Sequence, residues 1–393
     1  MSIMDLRQEL LRRISALEPD ITAVSRFVHS HPEEGFRERA CSEFLAAALA
    51  NQGLRVERPL PRLPTALRAS RRGRRPGPGI GFIAEYDALP GIGHGCGHNL
   101  IAAAAFGAAS ALAPLLDRTG GSVWVFGTPA EEYGSGKIPM LKARLFAPVG
   151  AVLMAHPETF WLVRTEGLAL DALRFDFRGR TSHAAATPWE GRNALDAVIG
   201  LFNSVSALRQ QLRPDVRVHG IIKEGGEAPN VIPDRTAAEF YVRARRRRDL
   251  DSVTARVKDC ARAAAKAAGC RVSIRASEPP LDDIVNNPVL SGAVERALRG
   301  LGVRDLPAAD PASGSADIGN VSHRVPTAYF YCPVAPKGLD LHTREFARHA
   351  GGGPAQKANL EAVKVLALAA LELLRQPALV REARLALQRS ASR

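Results

Sequence analysis

The chain has 393 residues, 46% of them apolar, and a formal charge of +13 carried mostly by arginine. That length exceeds one ordinary core and sets two domains as the expectation, and the composition excludes a disordered or fibrous chain. The basic excess raises nucleic acid as a partner, but the one dense block, "RRGRRPGPG" at 71–79, ends in Pro/Gly turn signals and reads as a solvated loop, so no nucleic-acid partner is expected.

The opening stretch, "MSIMDLRQELLRRISALEPDITAVSRFVHSHPEEGF", reads as amphipathic helix. Arg7, Arg12 and Arg13 interrupt it, so it has no apolar region of the signal-peptide type. No stretch approaches ~20 uninterrupted apolar residues, so no membrane span is expected. Residues 22–57 read as one or two helices and a short strand, "GLRVERP". "GPGIGFIAEYDALPG", "GSVWVFGTPAEEYGSG" and "VGAVLMAHP" are apolar runs that end in polar residues, and "PTAYFYCPVAP" is a fourth. Helical stretches such as 99–117 and 354–375 separate them. Strands alternating with helices predict an α/β fold with a mostly parallel sheet, whose ligands gather at the carboxyl ends of the strands.

The middle changes character. "LALDALRFDFRGRTSHAAATP" alternates like a half-exposed strand, "GRNALDAVIGLFNSVSALRQQL" is an amphipathic helix, and a second strand–helix–strand unit follows. This predicts a small α+β insert over 168–280, with 1–167 and 281–393 forming the domain around it. Cys41, Cys96, Cys260, Cys270 and Cys332 are odd in number and scattered. They make a poor disulfide framework and fit a reducing cytoplasm.

The chemistry starts at "GIGHGCGHNL". Cys96 and His98 stand two apart on a turn bracketed by Gly95 and Gly97, which lets both side chains face one point. Thiolate and imidazole are both ligands for zinc-like metals. Glu131 and Glu132 follow one apolar run, His156 ends the next, and His342 lies after the fourth. Each is ordinary alone. All fall just after strands on what should be one sheet edge, so Cys96, His98, Glu132, His156 and His342 together read as a site for one or two divalent cations.

These residues resemble the di-metal aminoacylase and carboxypeptidase superfamily of metallopeptidases, in the amidohydrolase branch of p-aminobenzoyl-glutamate hydrolase and the dipeptidase-like aminoacylases. The likeness runs through "HSHPEEGF", "EYDALPGIGHGCGHNL", "GTPAEE", "MAHP", "GRTSHAAATPWEGRNALDA", "HGIIKEGGEAPNVIPD", "GSADIGNVSH" and "LHTREF". It implies a catalytic domain with a central mixed, mostly parallel sheet flanked by helices, and an inserted lid and dimerisation domain. It implies that those five residues bind one or two ions (zinc, manganese or cobalt), with Cys96 bridging. Glu131 would be the general base that takes a proton from a metal-activated water, and His183 would reach across a homodimer to hold the oxyanion.

Asn230 resembles a substrate contact, and Arg243 is a candidate clamp for the substrate carboxylate. Asp317 would support the site, and His94 would stand behind the ligands. Asn99 replaces the Asp that follows the ligand histidine in many relatives, which narrows the branch. The expectation is a cytoplasmic metal-dependent amidohydrolase acting on small N-acyl or aminoacyl amino acids, with no membrane partner. The alternatives are a dipeptidase for Xaa–basic or β-alanyl dipeptides, and a catalytically silent metal-dependent binding protein.

Overall fold

A computed structural model describes residues 3–307 and 314–391. The chain enters through α1 (Ile3–Ala16), α2 (Glu18–Ser30) and α3 (Arg39–Asn51), then forms β1 (Arg55–Glu57), β2 (Leu67–Arg72) and β3 (Gly79–Glu85). Next come α4 (His98–Leu112), α5 (Leu116–Thr119), β4 (Ser122–Thr128), α6 (Lys137–Lys142) and β5 (Ala151–Glu158). The middle holds β6 (Ala169–Arg178), α7 (Ala194–Arg209), β7 (Arg217–Glu224), β8 (Arg235–Ala244), α8 (Arg247–Ala267) and β9 (Arg271–Ala276). The last part is α9 (Pro288–Gly300), α10 (Ile318–Ser322), β10 (Thr327–Pro333), α11 (Arg344–Ala350), α12 (Gly353–Arg375) and α13 (Pro377–Ala391).

Two compact units result. One gathers the described residues of Met1–Glu166, Ile284–Pro311 and Ala316–Arg393; the other gathers those of Gly167–Asp283 and Ala312–Ser315. The first holds a six-stranded sheet in the order β1-β2-β4-β3-β5-β10. The four apolar runs become β3, β4, β5 and β10, all parallel to their neighbours in that set. β2 is antiparallel to β4 and to β1, which makes the sheet mixed. β2 escaped the sequence reading because its solvent-side positions are arginines that merge with the basic loop after it.

β3 is buried along its whole length, as a strand covered on both faces must be. The helix after it is buried too: all fifteen residues of α4 are inside. By length and composition, the stretch His98–Thr119 could cross a membrane, contrary to the expectation that no stretch is long and apolar enough. The structure buries nearly all of it inside the protein. Alanine is small enough to let the sheet and other helices pack on every side of one helix, so the segment is a core helix. Polar pegs fix it in place. The Asn99 amide donates to Ser25 Oγ on α2 (2.8 Å) and to the Ala350 carbonyl on α11 (3.0 Å), and the Asn359 amide of α12 donates to the Leu100 carbonyl (2.9 Å).

The second unit is a four-stranded antiparallel sheet, β7-β8-β6-β9. Phe175 and Phe177 of β6 and Phe240 of β8 form one apolar cluster with Leu201 of α7 and Val257 of α8. All five cysteines of the chain are free thiols.

Asn99→Ala should lower stability by about 2 kcal/mol, since two buried hydrogen bonds are lost and the groups they joined stay inside. Urea unfolding should show a lower midpoint with an unchanged slope.

Candidate metal centre and active site

The turn from β3 into α4 carries the first pair of side chains. Gly97 caps the helix with φ +76°, and a Cβ there would stand 2.8 Å from Pro157 Cγ, so only glycine fits between Cys96 and His98. His98 is fully buried. Its Nδ1–H donates to the Asp87 carbonyl (2.9 Å) and to Asp87 Oδ1 (3.0 Å). Both partners are acceptors, so Nδ1 holds the proton and Nε2 faces the site. His156 has the same arrangement: Nδ1–H donates to the Pro157 carbonyl (2.8 Å), and Nε2 lies 3.4 Å from Cys96 Sγ. The facing atoms of Cys96, His98 and His156 all lie within 4.8 Å of one another.

The turn after β4 brings the carboxylates. Ala130 adopts φ +55°, and its N–H donates to Glu38 Oε1 (2.7 Å). The Glu132 N–H donates to Asp87 Oδ2 (2.9 Å). Glu131 Oε2 then lies 3.9 Å, and Glu132 Oε1 4.0 Å, from His98 Nε2. The loop after β10 completes the group. His342, at φ +63°, donates its N–H to the Gly95 carbonyl (2.9 Å) and places Nε2 3.7 Å from Glu132 Oε1. Cys96, His98, Glu131, Glu132, His156 and His342 are therefore brought to one place from four segments of the chain.

A buried ion-pair cluster lies behind them. Lys137, fully buried, sets Nζ 2.5 Å from Glu85 Oε1 and 2.5 Å from Asp317 Oδ1, and its N–H donates to Asp317 Oδ2 (2.9 Å). Burial opposes the Lys137 charge, but Asp317 and Glu85 outweigh it and hold the ammonium protonated. Burial pushes Asp317 up to about 6 against the pull of Lys137. Burial, then the charges of Glu85 and Asp317, raise the Glu131 carboxyl well above the usual range. Burial also lowers His156 to about 4, leaving a neutral imidazole.

The donor set suits a divalent cation. Glu85 Oε2, His98 Nε2 and Glu132 Oε1 are buried and have no hydrogen-bond partner. Donors bonded to one ion at about 2.0–2.3 Å stand roughly 3–4 Å apart, and the separations here run from 3.4 to 4.0 Å.

The other three residues belong to the second unit. His183 Nδ1 accepts from the N–H groups of Ala185 (3.2 Å) and Ala186 (3.1 Å), so its proton sits on Nε2, which is left to donate. Asn230 is held beside it, its carbonyl accepting from the Ala184 N–H (3.0 Å). Arg243, on β8, lies over the Tyr241 ring (5.8 Å) and keeps a buried Nε without a partner.

Four residues were not singled out in the sequence. Asp87 and Glu85 close the "GFIAEYD" run, and carboxylates ending a fully apolar strand were the available signal. Lys137 and Glu38 carry no such signal in the sequence. His94 is buried and donates Nε2–H to the Val28 carbonyl (2.8 Å).

Residues 81–369 match the description "Peptidase family M20/M25/M40". The chain belongs to that family. It is a metal-dependent amidohydrolase. It is 38% identical over 396 aligned residues to the Xaa-Arg dipeptidase of Mus musculus, covering 95% of this chain and 90% of the relative. It is 29% identical to one of the subunits of the p-aminobenzoyl-glutamate hydrolase of Escherichia coli, over 95% of this chain and 94% of that one. The fold superposes on a dinuclear metal-binding peptidase of Bacillus subtilis with a TM-score of 0.66 and 22% identity, covering 89% of this chain and 99% of that one.

Burial raises Glu38 to about 7, above its unfolded value near 4.5. The protonated form fits the buried site, so this contribution to stability is full at low pH and is lost as pH rises through about 7. Glu38→Gln stays neutral and keeps an acceptor for Ala130. Its stability relative to wild type should rise between pH 5 and pH 8, by a few kcal/mol at most, as read from thermal unfolding across that range.

Proposed function

We propose that this protein hydrolyses the amide bond joining an acyl, aryl-acyl or aminoacyl group to an amino acid with a free carboxylate, with dipeptides ending in a basic residue as the favoured substrates. The observation that carries the reading is the convergence of His98 Nε2, Glu132 Oε1 and the Cys96–His156 pair, with the Nδ1–H of each imidazole bonded away from the group. The preference for a basic residue rests on the 38% identical relative named for Xaa–Arg dipeptides.

Cys96, His98, Glu132, His156 and His342 would hold one or two divalent ions, zinc, manganese or cobalt. When bound, such an ion polarises an amide carbonyl and acidifies water. Glu131 is the proton carrier. Its raised affinity for a proton suits it to take one from the attacking water at its carboxylate and to pass it to the leaving amine nitrogen. His183, its proton on Nε2, donates a hydrogen bond to the oxyanion. Asn230 contacts the substrate, and Arg243, whose Nε has no partner, receives the substrate carboxylate.

The second unit serves as lid and dimerisation domain, and His183 acts on the partner subunit's site. Support comes from the exposed apolar side chains of that unit: Trp189, Ile199, Ile221, Ile222 and Val231, two of them on the edge strand β7. The free thiols fit a cytoplasmic location.

The test is a panel of alanyl-arginine, β-alanyl-lysine, N-acetyl amino acids and p-aminobenzoyl-glutamate, offered to protein reconstituted with manganese, zinc or cobalt. Alanyl-arginine should be the best substrate, and a chelator should abolish its turnover. Glu131→Ala should lower kcat by about 10²–10⁴-fold with metal content unchanged, and His183→Ala by about 10²–10³-fold. Metal binding with no turnover of any compound would show a silent binder. Ile221→Asp should shift the protein from dimer to monomer in light scattering and reduce activity along with it.

A further inference from the structure

The resemblance supplies five ligands, and the geometry points to a sixth: we propose that Glu85 is itself a ligand, through Oε2, of the ion held by His98. This rests on the reading of the site as a metal centre. Glu85 is the last residue of β3, paired in register with Thr128 at the end of β4, so the sheet delivers it to the same edge as the other donors. Only 2% of the residue is exposed. Its two oxygens have different surroundings. Oε1 is tied to Lys137 Nζ at 2.5 Å, whereas Oε2 has no hydrogen-bond partner and lies 3.4 Å from His98 Nε2, itself without one.

That 3.4 Å equals the Cys96 Sγ–His156 Nε2 spacing and is shorter than the distance from His98 Nε2 to Glu131 or Glu132. A carboxylate oxygen and an imidazole nitrogen that face each other in a buried site call for a cation between them, and 3.4 Å is too long for a good N–H···O hydrogen bond and leaves room for a metal ion. Oxygen and imidazole donors at about 2.0–2.2 Å from one ion fit that separation. Lys137 does not fill the gap, because its ammonium is taken by Glu85 Oε1 and Asp317 Oδ1 on the far side. It instead fixes the plane of the carboxylate, as partners of ligating carboxylates do. Asp317, Lys137 and Glu85 form one chain of support, and Asp87 and His98 form another.

Two measurements test this. The first is a crystal of the wild-type protein soaked in Mn²⁺, with anomalous data collected at the manganese edge. A peak bonded to His98 Nε2 and within about 2.5 Å of Glu85 Oε2 is expected. A peak at His98 that leaves Glu85 Oε2 beyond hydrogen-bond distance overturns the proposal. The second is Mn²⁺ titration with metal analysis for wild type, Glu85→Gln and Asp317→Asn. Glu85→Gln should weaken one ion at least tenfold or lose it, while Asp317→Asn, which also deprives Lys137 of a partner, should stay within about threefold.

Equal losses in both variants would show that Glu85 acts through the ion-pair cluster and would overturn its role as a ligand. If wild type binds no Mn²⁺, Zn²⁺ or Co²⁺ at all, the metal-centre reading itself fails. If Glu85→Gln does not fold, the wild-type crystal decides alone.

Discussion

One buried carboxylate organises the centre. Asp87 accepts the His98 Nδ1–H on one oxygen and the Glu132 amide on the other. It therefore sets the tautomer of an imidazole and the position of the two-glutamate turn at once. Burial alone would favour a protonated Asp87, but the charge and hydrogen bond of His98 outweigh it and keep its carboxyl below the usual range. The distances to Glu85, Glu131 and His342 are measured from His98 and Glu132, the two residues that this fixed point holds.

The cost of such a centre is buried negative charge. Glu85, Asp87, Glu131, Glu132 and Asp317 lie close together, and Lys137 is the cation built in among them. One ammonium does not balance them all. Burial and the residual imbalance raise the proton affinity of Glu131, and Glu85 Oε2 and Glu132 Oε1 are left without donors. A site arranged in this way has strong demand for a divalent ion, and it raises the proton affinity of the carboxylate beside it. The two come from one cause, the crowding of acids where water is excluded.

Backbone strain holds the turns that carry these groups. Ala130, Gly97 and His342 all sit at positive φ, and each is anchored by tertiary contacts: Glu38 on the Ala130 amide, Pro157 packed against Gly97, and the Gly95 carbonyl on the His342 amide. Non-glycine residues adopt this conformation only where the surroundings over-determine it, and such positions cluster at functional sites. The neighbouring segment adds to this, since a Cβ on Gly35 would lie 2.9 Å from Ala130 Cβ.

Sequence by itself determined the alternation of strands and helices and singled out the side chains that the fold brings together. Apolar runs ending in Cys, His and Glu have to place those groups at a strand edge, and "CGH" and "EE" keep their chemistry wherever they fold. It did not reveal β2, whose arginines hide its alternation, nor that the apolar stretch from His98 is a core helix, because burial depends on what packs around it. It gave no hint of the roles of Glu38 and Lys137. A charged residue in a sequence looks the same whether it faces water or a partner distant in the chain, such as Asp317 for Lys137. Tertiary structure alone decided the tautomers of His98, His156 and His183, since each ring proton is set by a main-chain or carboxylate group that only folding brings within reach.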